Sequence, residues 1–150
     1  KACHILDLGL DIIGNGEQKD LISNYIYDRN LNVNLLSPVP NSDLPVILNN
    51  YKYFALVSLW EGLPKSLIEA LACGNICIGT KTTGISELIS DYETGFLSTD
   101  FDAHSIACAF KKSFSADLLS ISQNSSAFVK ADYSLDTIFS TESSLYKLDS

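Results

Sequence analysis

The sequence predicts an α/β domain of Rossmann-like type: three layers, with a parallel sheet flanked by helices. Three observations carry that expectation. Apolar runs of strand length alternate with helical patterns along most of the chain. Several runs are continuous rather than alternating, the pattern of strands covered on both faces. At 150 residues, with 46% hydrophobic and 19% charged residues, the chain is one ordinary domain long enough to bury a core.

Taken in order, residues 10–14 (LDIIG) read as a short buried strand and 17–30 (EQKDLISNYIYDRN) as a helix. VNLLSPV, residues 33–39, reads as a strand ended by Pro38 and Pro40. Residues 42–50 suit a short helix with Ser42 as its cap. YFALVSLW, residues 53–60, is a continuous apolar strand. The helix after it takes Pro64 as its first residue and Gly74 just past its end. ICIGT (76–80) is another buried strand, 85–90 a helical stretch, and GFLST (95–99) the last strand. Helices over 102–114, 116–130 and 134–148 complete the chain, since apolar residues recur through this Ser-rich tail.

Charge narrows the function. A net charge of −8 leaves nothing to neutralise phosphates over an extended surface, which argues against nucleic acid and against a broad anionic-membrane patch. No apolar run approaches the roughly 20 residues of a spanning helix, and no signal-peptide pattern is present. A cytoplasmic protein is expected. The chain begins at Lys1 with KACHIL, which resembles a helix end, and contains no Met, so it reads as a piece of a longer protein. Cys3, Cys73, Cys77 and Cys108 lack metal spacing and are expected to be buried free thiols in a reducing compartment.

Parallel sheets of this kind bind ligands at the carboxyl ends of their strands. Glu61, Gly14-Asn15-Gly16, Pro38-Val39 and residues 80–84 all lie at such ends, and four loops are expected to converge on one edge. Gly14-Asn15-Gly16 reads either as a tight turn or as a phosphate-facing loop; the third Gly of a dinucleotide fingerprint is replaced by Lys19. Trp60 reads either as a pocket wall or as a cap on the core, and the tyrosines as half-buried packing with a wet hydroxyl. Asp100-Phe101-Asp102 has the outline of a metal-binding DxD, but Asp102 is better explained as the cap of the helix that follows.

The segment SLWEGLPKSLIEALACG, residues 58–74, holds two of the six Glu residues, Glu61 and Glu69. Glu69 has a plain explanation as the i,i+4 partner of Lys65. Position argues for more. Glu61 emerges at the ligand edge, Gly62 permits close approach of a ligand to the backbone, and the helix start around Lys65, Ser66 and Leu67 offers unpaired N–H groups to an anion. Hydroxyls, a diphosphate and further hydroxyls, in that order, describe a nucleotide-sugar.

From SLWEGLPKSLIEALACGNICIGTKTTGISELISDYETGFL, with LDIIGNGEQKDLI and VNLLSPVPNSDLPVILNNYKYFALVSLW before it, the chain closely resembles the donor-binding half of glycosyltransferase family 4, the glycosyl transferases group 1. The resemblance covers residues 10–98, and YSLDTIFSTESSLYKL resembles the family's closing helix. It implies half of a GT-B fold and a hexosyltransferase of surface polysaccharide biosynthesis. It implies transfer with retention, no metal and no cofactor beyond a UDP- or GDP-linked donor. By the same resemblance Glu61 faces the donor sugar as the catalytic carboxylate and Glu69 bonds the ribose. Gly62, Leu63 and Pro64 line the sugar, the N–H groups of Ser66 and Leu67 meet the diphosphate, and Pro38-Val39 lies by the base; Gly14 and Gly16 complete the expected donor set.

Two parts of the family pattern are missing. The Arg and Lys that neutralise the departing diphosphate would precede Lys1 together with the first strand, and Arg29 is the only Arg. The acceptor-binding N-terminal domain, which would hold a glycan or lipid-linked acceptor and any peripheral contact with the inner face of the membrane, is also outside this sequence. The expectation is a weakened donor site and no transfer by these residues alone. A non-catalytic nucleotide- or protein-interaction module, or a GT-B-like nucleotide-sugar epimerase, is the alternative.

Overall fold

The computed structural model of the protein describes residues 1–134 and 137; the predicted helix over 134–148 and the family's closing helix lie outside the described residues, apart from those two positions. In chain order the elements are α1 (Ala2–Ile5), β1 (Leu10–Ile13), α2 (Lys19–Asp28), β2 (Val33–Leu36), α3 (Leu44–Leu48) and β3 (Tyr53–Leu56). Then follow α4 (Lys65–Ala72), β4 (Ile76–Thr80), α5 (Thr83–Leu88), β5 (Gly95–Ser98), α6 (Ala103–Ser113) and α7 (Leu118–Asp132). All strand pairings are parallel, as the alternation of strands and helices requires.

Layering follows from the strand pleat. Along β4, Ile76 and Ile78 point into one core with Tyr53, Phe96, Phe110 and Ile121. Cys77 points into the other, with Phe54, Leu56, Leu67, Leu71 and Ile85. Every residue of β4 is buried, because β3 and β5 pair with its two edges and helices cover its two faces. Helix α4 joins the second core through Leu67, Ala70 and Leu71, the i, i+3, i+4 stripe of an amphipathic helix. Gly74 ends α4 at φ +77°, where a side chain would also strike the Ser122 hydroxyl at 2.6 Å. The architecture is Rossmann-like.

The expected single sheet is in fact two, β1-β2 and β3-β4-β5. Among the described residues β1 pairs only with β2, and β3 only with β4, so each keeps one edge unpaired there. Neither hydrophobic core includes a residue of β1, α2 or β2, and α2 buries no residue at all. The strand expected over 53–60 stops at Leu56 and is half-buried rather than covered on both faces, with Ala55 exposed, as befits an edge strand. Its apolar continuation lies on the surface: Leu59 is 78% and Trp60 82% exposed, which removes the reading of Trp60 as a cap on the core. Tyr27, at 87% exposed, likewise departs from half-buried packing.

Smaller corrections concern helix starts and strand ends. Strand β2 ends at Leu36, ahead of Pro38. Asp43, not Ser42, occupies the cap position of α3, and neither side chain caps it, since the Ser42 hydroxyl donates to Asp43 instead. Pro64 is the extended residue before α4 (φ −78°, ψ 95°) rather than its first helical residue, and its carbonyl accepts from the N–H groups of Leu67 and Ile68.

Candidate functional site

Within the three-stranded sheet the carboxyl ends of β3, β4 and β5 lie along one edge, with Leu56 beside Gly79 and Thr80 beside Ser98. The turn after β3 carries Ser58, Glu61, Gly62 and Leu63 onto that edge and delivers the chain to α4. Glu61 is half-buried, Gly62 and Leu63 are exposed, and Pro64 is buried beneath them. Glu69 is half-buried on α4, with its carboxylate 3.5 Å from the largely exposed Lys65 ammonium, a pair worth only a few tenths of a kcal/mol.

The Glu61 carboxylate is held from within its own turn. The Ser58 hydroxyl donates to Glu61 Oε1 at 2.6 Å. The Ser58 carbonyl in turn accepts from the buried Thr80 hydroxyl at the end of β4, also at 2.6 Å. From below, Gly84 in α5 sits so close to the corner that an added Cβ would lie 1.6 Å from the Gly62 carbonyl oxygen. The absent Gly84 side chain is therefore what lets α5 support the Glu61-Gly62 backbone.

At the start of α4 the N–H groups of Lys65 and Ser66 have no hydrogen-bond partner among the described residues. Leu67 is different: its N–H donates to the Pro64 carbonyl at 3.0 Å and its side chain is fully buried. Of the two N–H groups expected to be open to an anion, that of Leu67 is therefore already bonded, while that of Ser66, with that of Lys65 before it, is open. Two hydroxyls at the same edge, Thr82 Oγ1 and Ser98 Oγ, are buried without a hydrogen-bond partner among the described residues.

Gly14, Gly16, Pro38 and Val39 form a separate group at the carboxyl ends of β1 and β2, where the Gly14 N–H donates to the Leu36 carbonyl at 3.2 Å. Gly14 has φ +149°, so the turn itself requires a glycine. A side-chain hydrogen bond from the Tyr51 hydroxyl to Asp11 ties this unit to the chain entering β3. That bond, joined by one from Asn34, holds the Asp11 carboxyl below the usual carboxylate range and pushes the Tyr51 hydroxyl up. A shallow concavity of about 350 Å³ lies at the opposite, amino-terminal end of the sheet, lined by residues that include Tyr51, Gly74 and Asn75, and it contains none of the expected site residues.

Asp102 is the helix cap that its position suggested. It accepts from the N–H groups of His104 and Ser105 at 2.8 and 3.0 Å and from the Ser105 hydroxyl at 2.6 Å. Those donors, the Ser105 hydroxyl foremost, favour the ionised form and hold the Asp102 carboxyl below its ordinary value. A depressed folded-state pKa means stability that is present above the unfolded value, about 3.9, and lost as pH falls through the lower folded one. Thermal melts across the acid range should therefore show the wild type losing stability more steeply than Asp102→Asn, which keeps an acceptor oxygen without a titrating charge. Parallel curves would reject the cap assignment.

Residues 80–84 are one of the loops expected at this edge, but the sequence gives Thr80 and Gly84 no individual role there, and Ser58 none at all. The Ser58–Glu61 bond had a local signal, a hydroxyl three residues before a carboxylate at a strand end. The contacts of Thr80 and Gly84 are tertiary and had none.

A sequence model of a family described as glycosyl transferases group 1 matches residues 2–126. The chain belongs to the glycosyl transferases group 1. Among relatives of this family member, the UDP-Gal:alpha-D-GlcNAc-diphosphoundecaprenol alpha-1,3-galactosyltransferase of Escherichia coli is 40% identical over 87 residues, 57% of this chain and 22% of that protein. The amylovoran biosynthesis glycosyltransferase AmsK of Erwinia amylovora is 31% identical over 120 residues, 71% of this chain and 30% of that protein. The chain thus spans less than a third of the length of these relatives. The crystal structure of Anabaena Alr3699/HepE in complex with UDP-glucose superposes with a TM-score of 0.82 at 21% identity, covering 93% of this chain and 41% of that one. That likeness shows the fold, which is one half of a GT-B architecture.

Proposed function

We propose that the protein is the donor-binding domain of a retaining, metal-independent glycosyltransferase. The complete enzyme transfers a hexose from a UDP- or GDP-linked donor to a glycan or lipid-linked acceptor in surface polysaccharide biosynthesis, at the cytoplasmic side. The observation that carries this reading is the placement of Glu61 and Glu69 on either side of an α4 start whose first N–H groups are unpaired, at the carboxyl edge of a parallel sheet. Glu61 faces the sugar, the N–H groups of Lys65 and Ser66 face the diphosphate, and Glu69 takes the ribose hydroxyls. Gly62, Leu63 and Pro64 flank the sugar, and Gly14, Gly16, Pro38 and Val39 form the base side. The names of the relatives, galactosyl transfer to a lipid diphosphate and amylovoran synthesis, support a cell-surface glycan as product.

The same reading accounts for the divided sheet. A further strand, in the enzyme's segment before Lys1, lies between the unpaired edges of β1 and β3 and joins the two sheets. That segment also supplies the cations that stabilise the departing diphosphate, where the largest electrostatic contribution to catalysis is expected. Arg29 cannot serve, because it stacks on Tyr25 with its guanidinium carbon 4.0 Å from the ring centre, next to α2. These 150 residues alone therefore bind donor without transferring sugar.

Titration with UDP, GDP and ADP tests the reading. One of the three is expected to bind saturably, and Glu69→Ala to weaken that binding about ten- to hundredfold, the range for a lost hydrogen bond to a charged group. Absence of saturable binding to all three would replace this reading with that of an interaction module.

A further inference from the structure

We infer that Ser58 is a positioning residue that aims the Glu61 carboxylate at the donor sugar, and that its hydroxyl sets the preference for a nucleotide-sugar over the bare nucleotide. The inference rests on the donor-binding reading of Glu61 and goes beyond it. The key geometry is the 2.6 Å bond from the Ser58 hydroxyl to Glu61 Oε1.

A hydroxyl three residues before a carboxylate often does no more than staple a turn. Here the turn is held by other means. The Thr80 hydroxyl fixes the Ser58 carbonyl to the end of β4, and Gly84 lies against the Glu61 and Gly62 carbonyls. With the backbone fixed at both ends of the corner, the Ser58 hydroxyl is left to act on the carboxylate itself. One carboxylate oxygen is bound to the serine, which leaves the other open to a ligand. Glu61 is only half-buried, so without that bond its side chain samples other rotamers at that edge. The α4 start and Glu69 lie outside this arrangement, so the loss falls on the sugar end of the ligand and leaves the nucleotide end intact.

The experiment compares, for the same protein, the affinity for UDP with that for UDP-glucose, and for GDP with GDP-mannose, alongside thermal melts. Ser58→Ala should lower the sugar-nucleotide affinity about tenfold while leaving nucleotide affinity and melting temperature near wild type. Ser58→Thr, which keeps the hydroxyl, should restore the preference. In the double variant Ser58→Ala/Glu61→Gln the two losses should fail to add, as expected for residues acting through one bond. Equal weakening of nucleotide and sugar-nucleotide by Ser58→Ala, together with a lower melting temperature, would mean a structural staple and overturn the inference. If Glu61→Gln weakens sugar-nucleotide binding and Ser58→Ala does not, the positioning role fails and the donor site stands. A silent Glu61→Gln removes both.

Discussion

Gly84→Ala is expected to be among the most damaging single-methyl changes in this protein, lowering its melting temperature and abolishing donor binding together. The added Cβ would lie 1.6 Å from the Gly62 oxygen, 2.7 Å from its carbonyl carbon and 2.9 Å from the Glu61 oxygen. All three are backbone atoms, so no side chain can turn aside, and either α5 or the Glu61-Gly62 corner must move. Helix α5 is not free to move, because Gly84, Ile85 and Leu88 are buried and Ile85 is packed over Gly79. Overpacking commonly costs 1–3 kcal/mol and occasionally more, and a clash with backbone belongs at or above about 3 kcal/mol. In a domain of this size that corresponds to a fall of roughly 6–12 °C. The neighbouring change Gly62→Ala is the control: its Cβ meets nothing within 4 Å, so stability should hold while ligand approach is hindered. A Gly84→Ala protein that melts with the wild type and still binds nucleotide-sugar would show that the corner is not supported from α5.

Such a contact also marks the limit of what the residues disclose by themselves. ICIGT was legible to the residue, because a central strand buried on both faces leaves a short, unbroken apolar run. YFALVSLW was over-read by the same rule. Its first four residues form β3, whereas Val57, Leu59 and Trp60 are apolar and exposed beyond its carboxyl end. Hydropathy alone does not distinguish a core residue from an exposed apolar one. The stop of α4 at Gly74 and the cap at Asp102 were legible because each depends on local backbone chemistry. The division of the sheet was not, since strand pairing is set by partners remote in the chain. The two glutamates were visible as candidates, but two of the groups that fix the turn around Glu61 come from the ends of other elements, β4 and α5.

Phe96→Ala should produce the largest loss of stability without touching the site, and the pair of measurements that shows this also separates core from ligand contacts. Phe96 is fully buried in β5, where it packs with Ile76, Ile78, Phe110 and Ile121 and meets the Tyr92 ring edge-on at 5.4 Å. Truncating a buried Phe to Ala costs about 3–5 kcal/mol, from lost burial and the cavity left behind. For a chain of this length the melting temperature should drop by roughly 6–20 °C. The second core, which carries α4 beneath Glu69, lies on the other face of the sheet and does not include Phe96. If nucleotide binds as proposed, a hundred times its dissociation constant should therefore stabilise the variant and the wild type alike, by about 2.7 kcal/mol. Glu69→Ala should behave in the opposite sense: a half-buried side chain with one weak ion pair leaves the melt nearly unchanged, and the stabilisation on adding the same nucleotide concentration falls to about 0.4–1.4 kcal/mol. If Phe96→Ala instead lost the nucleotide shift while still folded, the two cores would be coupled through the sheet, and the donor edge would depend on both faces rather than on α4 and its turn alone.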